Sequence, residues 1–269
     1  MRLLVTGGAG YIGSHFVSVA RQQGRADIVV VDDFSTGLRQ RVPADVPVYT
    51  IDLASDAAVA ALTTLLKEES IDVVVHFAAK KVVADSVVQP EDYFRSNVGA
   101  TVNVLAAMRA AGAASMIFSS SAAVYGEPDS SIVFEDTPTV PINPYGQSKL
   151  ADQMWATALH KRLGDAGRGV KVLTAHPGWA HTNIQNSSGI APVDKALDFV
   201  SEQFAGTSRE GAMPLLEASA GDHPALSYIG PDGWLDMWGA PGVQEASALA
   251  LLVRLTRVSA GITTPLAAR

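Results

Sequence analysis

The chain has 269 residues, of which 48% are hydrophobic, and this apolar fraction is enough for one large buried core. Its 20 Lys and Arg against 27 Asp and Glu give a formal net charge of −7, which would repel phosphate backbones, so no nucleic-acid partner is expected. The absence of cysteine excludes disulfides and thiolate catalysis, and the six histidines lack metal-ligand spacing, so no metal site is predicted. The longest apolar runs are too short to cross a bilayer or to form a secretory leader, so we expect no membrane partner and a cytoplasmic location.

Short β-branched runs alternate with longer helical segments along the chain. Strands are predicted, in chain order, at residues 3–5, 28–32, 46–52, 73–79, 115–121, 170–176 and 226–230. Helices are predicted from the first glycine loop to about residue 23 and at Ser55–Glu68, Tyr93–Ala111 and Tyr145–Leu163. Apolar strands that alternate with helices indicate an α/β fold, a doubly wound parallel sheet of the Rossmann type with about seven strands.

No flexible linker or internal repeat interrupts this alternation, so we expect residues 1–269 to form a single Rossmann domain. Two stretches have weak patterning. Residues 126–144 are rich in Pro, Asp and Ser and are interpreted as a loop over a site. The second stretch runs from Asn183 to about Pro192, and it opens a small segment, residues 183–225, that is interpreted as covering the substrate.

The stretch TGGAGYIGSH, residues 6–15, follows the first strand and opens a helix. Gly7, Gly10 and Gly13 allow a tight turn, a close approach of the backbone to a pyrophosphate, and packing of the helix on the sheet. The N-terminus of the helix then holds the phosphate charge. The stretch therefore predicts a dinucleotide site.

Carboxylates at two strand ends add to this prediction. Asp32 ends the second strand, nineteen residues past Gly13, where it can accept both ribose hydroxyls of NAD and would repel the 2′-phosphate of NADP. Asp52 and Leu53 end the third strand and are placed to bracket an adenine. Two nearby arginines, Arg39 and Arg41, leave NADP open as the alternative cofactor.

The stretch YGQSK places Tyr145 and Lys149 four residues apart, on one face of a predicted helix. An adjacent ammonium lowers the pKa of a tyrosine from its usual value of about 10. Tyr145 can then take a proton from a substrate hydroxyl while a hydride leaves the same carbon. Lys149 would also bond the nicotinamide ribose, and Ser121, which ends the fifth strand, can hold the same substrate oxygen. This arrangement predicts an enzyme.

The first half of the chain carries a family resemblance in TGGAGYIGSH (6–15), VDDFSTG (31–37), HFAAKKVVADSV (76–87), FSSSAAVYGEP (118–128) and NPYGQSKL (143–150). Residues 1–150 resemble the extended short-chain dehydrogenase/reductase family, and closely its UDP-glucose 4-epimerase branch. The resemblance implies that Ser121, Tyr145 and Lys149 are catalytic. It also implies an NAD site lined by Gly7, Gly10, Tyr11, Ile12, Gly13, Asp32, Asp33, Asp52, Leu53, Phe77, Ala78, Ala79, Lys81, Asn97, Ser119, Tyr145 and Lys149.

The second half resembles a different branch of the superfamily. Residues 170–240 resemble the classical, retinol-dehydrogenase-like oxidoreductases, in which a strand ends in Pro-Gly and a threonine four residues further on bonds the cofactor. The resemblance implies that Pro177, Gly178 and Thr182 contact NAD. Because the two halves join near residues 145–150, we hypothesise a recombined or engineered chimera, with a divergent natural member as the alternative.

The resemblance in the first half predicts an NAD-dependent UDP-glucose 4-epimerase-like isomerase of carbohydrate metabolism, which oxidises and re-reduces C4 of a nucleotide sugar. Two alternatives stay open. One is a classical short-chain dehydrogenase or carbonyl reductase acting on an apolar alcohol or ketone, and the other is an NAD-binding hybrid without turnover. The long helices at Tyr93–Ala111 and Tyr145–Leu163 have apolar faces and predict a homodimer.

Overall fold

The structure, a computed structural model, describes residues 1–24, 26–113, 115–128, 137–165, 171–175, 213–214, 217–218, 228–231 and 241–244. Within these residues the strands are β1 (Arg2–Thr6), β2 (Asp27–Asp32), β3 (Val48–Thr50), β4 (Val73–His76), β5 (Ser115–Ser119), β6 (Lys171–Ala175), β7 (Tyr228–Pro231) and β8 (Pro241–Gln244). The helices are α1 (Tyr11–Gln22), α2 (Ala58–Glu68), α3 (Val83–Val88), α4 (Pro90–Phe94), α5 (Ala100–Ala111) and α6 (Pro144–Asp165), with a π-helical turn at Arg95–Gly99 and 3₁₀ turns at Arg39–Arg41 and Ala122–Val124.

The described strands form one sheet in the order β3-β2-β1-β4-β5-β6-β7-β8. All neighbouring pairs are parallel except β7 and β8. The strand order reverses between β1 and β4, and Thr6 at the end of β1 is aligned with Val31 on one side and His76 on the other. In such a sheet the reversal opens a crevice at the carboxyl ends of the strands, which is where ligands bind.

Alternate residues of the central strands build a core on each face of the sheet. Leu3 and Val5 of β1 pack on one face with Phe16 and Val17 of α1. Leu4, between them in sequence, packs on the other face in a cluster that includes Val31, Leu62, Leu65, Val104 and Met108, contributed by β2, α2 and α5. Burial of both faces explains why the strands are continuous apolar runs, and it confirms the predicted doubly wound Rossmann-like fold.

Several element boundaries differ from those predicted. The third strand is only Val48–Thr50 rather than 46–52, because β3 lies at the edge of the sheet and pairs with β2 alone. The fourth and fifth strands end at His76 and Ser119, before the predicted residues 79 and 121. The predicted strand count of about seven is exceeded by β8, which pairs antiparallel with β7.

The predicted helix Tyr93–Ala111 begins earlier and is not uniform. Pro90 is the first residue of α4. Proline costs no hydrogen bond at this position, because the amide of a first helical residue has no partner within the helix. The π-helical turn then joins α4 to α5, which ends at Ala111 and is capped by Gly112 with φ +81°. A hydrophobic period alone does not reveal such a turn, because the residues on both sides of it keep helical spacing.

The predicted substrate-covering segment 183–225 lies outside the described residues except at four positions. Of these, Ala218 is buried in the core cluster that contains Phe16 and Val17, and Met213 packs against the same cluster. No helix in the described ranges has the length and apolar character needed to cross a membrane. The single-domain organisation stays a prediction.

Candidate active site

The glycine loop lies at the carboxyl end of β1, beside the crevice. Gly7 has φ +69°, and a Cβ at this position would lie 2.7 Å from the backbone nitrogen of Ala78. A Cβ at Gly13 would lie 2.2 Å from the carbonyl oxygen of Gly7. Because real Cβ contacts are not this short, the turn requires glycine at both positions. Gly10 is the N-cap of α1 and provides no side-chain cap, so no N-cap side chain shields the start of the helix from an anion.

Asp32 is fixed beside this loop. Its Oδ2 accepts a hydrogen bond from the Ala9 amide at 2.9 Å, and its Oδ1 accepts one from the Phe34 amide at 2.9 Å. A Cβ at Gly37 would lie 2.4 Å from Oδ1, so the chain passes closely over the carboxylate. Each carboxylate oxygen has further acceptor capacity, so the side chain can still receive hydroxyl donors from a ribose. The loop, the helix N-terminus and this acceptor together fit a dinucleotide.

The remaining predicted cofactor residues surround the same crevice in different ways. Asp33 accepts hydrogen bonds from the amide and hydroxyl of Ser35, whereas Asp52 is exposed and accepts from the Ala54 amide. Leu53 is buried in the core cluster below. Lys81 follows β4, and partial desolvation together with the nearby Arg41 lowers its pKa. The structure also places Tyr11, Ile12, Phe77, Ala78 and Ala79 at the two loops that flank the strand reversal.

Asn97 holds the loop after β4 against α6. It is buried in the π-helical turn, where its Oδ1 accepts from the Lys80 amide at 2.8 Å and its Nδ2 donates to the Lys80 carbonyl at 3.1 Å. The same Nδ2 donates to the Ser148 hydroxyl of α6 at 2.9 Å. The contact with NAD predicted for Asn97 stays a prediction, but its observed contacts give it a clear positioning role.

The three predicted catalytic residues converge at the end of β5. The hydroxyls of Tyr145 and Ser121 share a hydrogen bond. Lys149 is buried, donates from Nζ to the Ser119 carbonyl at 3.2 Å, and lies 4.8 Å from the centre of the Phe118 ring. Ser119 thus orients the lysine through its backbone.

The ionisation of Tyr145 differs from the expectation. Burial raises the pKa of the Tyr145 hydroxyl, the hydrogen bond with Ser121 lowers it, and the Asp152 carboxylate raises it. The net direction is thus a raised pKa rather than the predicted lowered one, and the Lys149 ammonium donates to the Ser119 carbonyl and faces the Phe118 ring. Burial also lowers the pKa of Lys149, and Asp152 raises it.

The cofactor contacts predicted for Pro177, Gly178 and Thr182 lie outside the described residues, as does most of the stretch that carries the second resemblance. Of residues 170–240 the structure describes β6, β7 and four further positions, and β6 pairs with β5 next to the catalytic residues. The chimera hypothesis therefore stays a prediction.

A buried polar chain below the catalytic residues escaped the sequence reasoning. His76 Nδ1 lies 2.7 Å from the Thr6 hydroxyl and His76 Nε2 lies 3.2 Å from the Thr101 hydroxyl. Thr101 in turn donates to Asp152, which lies on α6 and is 1% exposed. The sequence does indicate the position of Asp152, because this residue follows Tyr145 by seven residues and so lies on the same face of the helix.

Burial of His76 makes stability depend on pH. Desolvation, aided by Lys149, lowers its pKa to about 3, whereas an unfolded histidine titrates near 6.5. The stabilisation is therefore complete above the unfolded pKa and is lost as pH falls towards 3, by up to about 1.4 kcal/mol per pH unit. We expect His76→Gln to remove this slope, measured as the difference in free energy of urea unfolding between pH 7 and pH 4.

The matched control is His15→Gln on α1, where the half-buried ring bonds the Tyr11 carbonyl. Asp152 acts in the opposite sense, because its raised pKa of about 6 adds stability at low pH that is lost as pH rises. Each variant is therefore compared with the unchanged protein at the same pH. An unaltered slope in folded His76→Gln would contradict the assignment.

A glycine loop at the strand reversal and a Ser-Tyr-Lys set at the adjoining strand end define a dinucleotide-dependent enzyme class of the short-chain dehydrogenase/reductase type. The chain belongs to the NAD dependent epimerase/dehydratase family, whose model matches residues 3–173. This match confirms the resemblance seen in the first half of the sequence.

Among known proteins, the chain is 47% identical over 166 residues to the UDP-glucose 4-epimerase of Azospirillum brasilense, covering 62% of this chain and 44% of that enzyme. The solved UDP-glucose 4-epimerase of Brucella ovis in complex with NAD is 34% identical, with a TM-score of 0.59 over 65% of this chain and 50% of that one. The chain thus spans about half the length of these relatives. The Thermotoga maritima UDP-glucose 4-epimerase, at 21% identity, shares the fold over 99% of this chain and 85% of its own, with a TM-score of 0.70.

Proposed function

We propose that the chain is an NAD-dependent UDP-glucose 4-epimerase-like enzyme. The observation that carries this proposal is the Ser121–Tyr145 hydrogen bond beside the buried Lys149, at the strand end next to the glycine loop. The family match and the identity to UDP-glucose 4-epimerases support it over residues that include all three side chains. The substrate would be a nucleotide sugar.

NAD is the cofactor that the site fits. Gly7, Gly10 and Gly13 would place the backbone and the N-terminus of α1 against the pyrophosphate, and Asp32 would accept the ribose hydroxyls. Lys81 would add a positive charge on the opposite side of the crevice. When bound, NAD supplies a hydride acceptor for the sugar carbon and a positive charge on the nicotinamide ring.

The side chains of this protein would carry the proton of the sugar C4 hydroxyl during the reaction. Tyr145 would take the proton of the C4 hydroxyl during oxidation and return it to the same oxygen during reduction. Ser121, already bonded to Tyr145, would hold that oxygen and keep the phenolic hydroxyl aimed at it. Lys149 would bond the nicotinamide ribose and favour the phenolate from within the same buried site. The substrate leaves with the proton count it had on entry, as an epimerisation requires.

The proposal is tested by conversion of UDP-galactose to UDP-glucose by purified protein without added NAD. We expect conversion, because a cofactor used and regenerated within one turnover need not exchange with solution. Folded protein that converts no UDP-galactose, yet releases NAD on denaturation, would contradict the epimerase proposal while supporting the cofactor. Absence of NAD, with none bound on addition, would contradict both.

A second candidate function is a dehydrogenase or carbonyl reductase acting on an apolar alcohol or ketone. The observation that favours it is the sequence after β6, where Pro177, Gly178 and Thr182 match the classical branch and the family match stops at residue 173. The same Tyr145 and Lys149 would then act with an exchangeable cofactor. NADH oxidation driven by small ketones, in protein that fails to convert UDP-galactose, would favour this candidate, and failure of both would indicate a chimera that binds NAD without turnover.

We further propose a homodimer built on the exposed apolar surface of α3, α5 and α6. Val87 and Val88 of α3 are 63% and 76% exposed, Trp155 of α6 is 51% exposed, and Val102 of α5 is also exposed. Exposed apolar patches of this kind often mark interfaces between subunits. We expect the mass in solution to be that of a dimer and to fall to that of a monomer in Val88→Lys/Trp155→Lys. A monomeric unchanged protein at high concentration would refute this arrangement.

We also propose that the protein acts in the cytoplasm as a single domain, because the cofactor NAD is available there. Fractionation of cells that produce the protein tests the location. Limited proteolysis, with or without NAD, tests the domain organisation.

A further inference from the structure

Asp152 is a buried acid that takes no part in the proton transfer proposed above. It is 1% exposed, and its Oδ1 has no hydrogen-bond partner within the described part of the chain. A buried carboxylate is unfavourable unless a positive charge or hydrogen-bond donors compensate for it. The positive charge or the donor that compensates for the Asp152 carboxylate must therefore come from the groups that face it.

Within the described ranges, the titratable groups around Asp152 come from three elements. Lys149 and Tyr145 lie one and two turns before it on α6, and His76 lies at the end of β4. Tyr93 of α4, whose hydroxyl donates to the Val82 carbonyl at 2.6 Å, faces Tyr145. Of these groups, only Lys149 brings a positive charge, because the pKa of His76, at about 3, keeps it neutral near pH 7.

Lys149 is a buried cation that needs a negative charge nearby. It is 5% exposed, and its hydrogen bond within the described part of the chain goes to a neutral carbonyl, that of Ser119. A buried ammonium without a counter-ion tends to lose its proton, and Asp152 is the carboxylate that opposes this loss. The helix fixes their relation, since side chains three residues apart lie on the same face.

We propose that Asp152 is a positioning residue for the Tyr145–Lys149 pair, with its buried carboxylate as the counter-ion that keeps Lys149 an ammonium. The inference deepens the proposed function, because it names what sets the ionisation of the catalytic pair. The chain of Thr6, His76 and Thr101 holds the carboxylate in place. A consistent proton arrangement has Thr6 donating to His76 Nδ1, His76 Nε2–H donating to the Thr101 hydroxyl, and Thr101 donating to Asp152.

The main test measures the ionisation of Lys149 and needs no turnover. The NMR signals of the Lys149 ε-methylene group, assigned by their loss in Lys149→Arg, are followed against pH in each protein. Because the negative charge of Asp152 opposes loss of the Lys149 proton, the isosteric Asp152→Asn should move the Lys149 midpoint to lower pH. The matched control is Asp56→Asn, which removes one exposed carboxylate before α2 and should leave the midpoint in place.

Turnover provides the second readout. Without its counter-ion, Lys149 should lose its proton at lower pH, so the alkaline limb of the pH–rate profile should move down in Asp152→Asn. A shift of one pH unit lowers turnover above the limb about tenfold. A purely structural role would scale the whole profile and leave its limbs in place.

An unchanged Lys149 midpoint in folded Asp152→Asn overturns the inference, whether or not the protein converts UDP-galactose. Failure of the proposed function is distinguishable, because the midpoint would still move while no conversion occurs. If Asp152→Asn does not fold, judged by its thermal unfolding, Asp152→Ser replaces it with the same expected shift.

Discussion

Tyr145→Phe should abolish epimerisation while the protein keeps its NAD. The substitution removes the hydroxyl that shares a hydrogen bond with Ser121 and leaves the ring in the same half-buried place. Loss of a positioned acid–base group lowers turnover by about 10²- to 10⁴-fold. We expect turnover to fall by about 10³-fold or more, measured with UDP-galactose, and the NAD released on denaturation to match that of the unchanged protein.

The control for this experiment is Tyr49→Phe. Tyr49 lies on the edge strand β3 and bonds Glu69, far along the sheet from the strand ends that carry the catalytic set. It should keep full turnover. Retention of most of the activity in Tyr145→Phe would refute Tyr145 as the group that exchanges the proton.

Gly13→Ala should remove NAD from the protein. The added Cβ would lie 2.2 Å from the Gly7 carbonyl oxygen and 2.8 Å from Gly8 Cα, and both contacts are with backbone that cannot rotate away. The loop must therefore shift, and with it the amides that would hold the pyrophosphate. We expect NAD affinity to fall about 100-fold or more, which corresponds to about 3 kcal/mol, measured by calorimetry on cofactor-free protein.

Gly99→Ala is the matched control because a Cβ at Gly99 would meet nothing within 4 Å and its backbone is helical. Alanine there should leave NAD binding unchanged and stabilise the fold by about 0.5–1 kcal/mol through the lower entropy of the unfolded chain. Equal NAD affinities in Gly13→Ala and Gly99→Ala would show that the glycine loop does not hold the cofactor.

Local patterns predicted the features that depend on local chemistry. The runs LLV and VVV had to become buried parallel strands because they are apolar on both faces, and the glycine spacing required a turn that only glycine can make. The placement of Tyr145 and Lys149 on one face of a helix followed from helical spacing in the same way.

The features that the sequence did not predict depend on contacts between distant residues. From the sequence, Asp152 looks like an ordinary surface acid of a helix, but the fold buries it and places Thr101 of α5 beside its carboxylate. The direction of the Lys149 ammonium is likewise decided by the Ser119 carbonyl and the Phe118 ring of β5. Helical spacing placed Lys149 near Tyr145 but could not show which neighbour its ammonium would contact.

The π-helical turn at Arg95–Gly99 sets the rotational phase of α5. Such a turn holds one residue more than an α-helical turn, so the helix beyond it is rotated by about one residue, or roughly 100°, relative to an uninterrupted helix from Pro90. That rotation faces Thr101 towards His76, and the turn itself carries Asn97 inward to the Lys80 backbone. One additional amino acid in the helical winding therefore turns Thr101 to the buried histidine of β4 and Asn97 to the loop after β4.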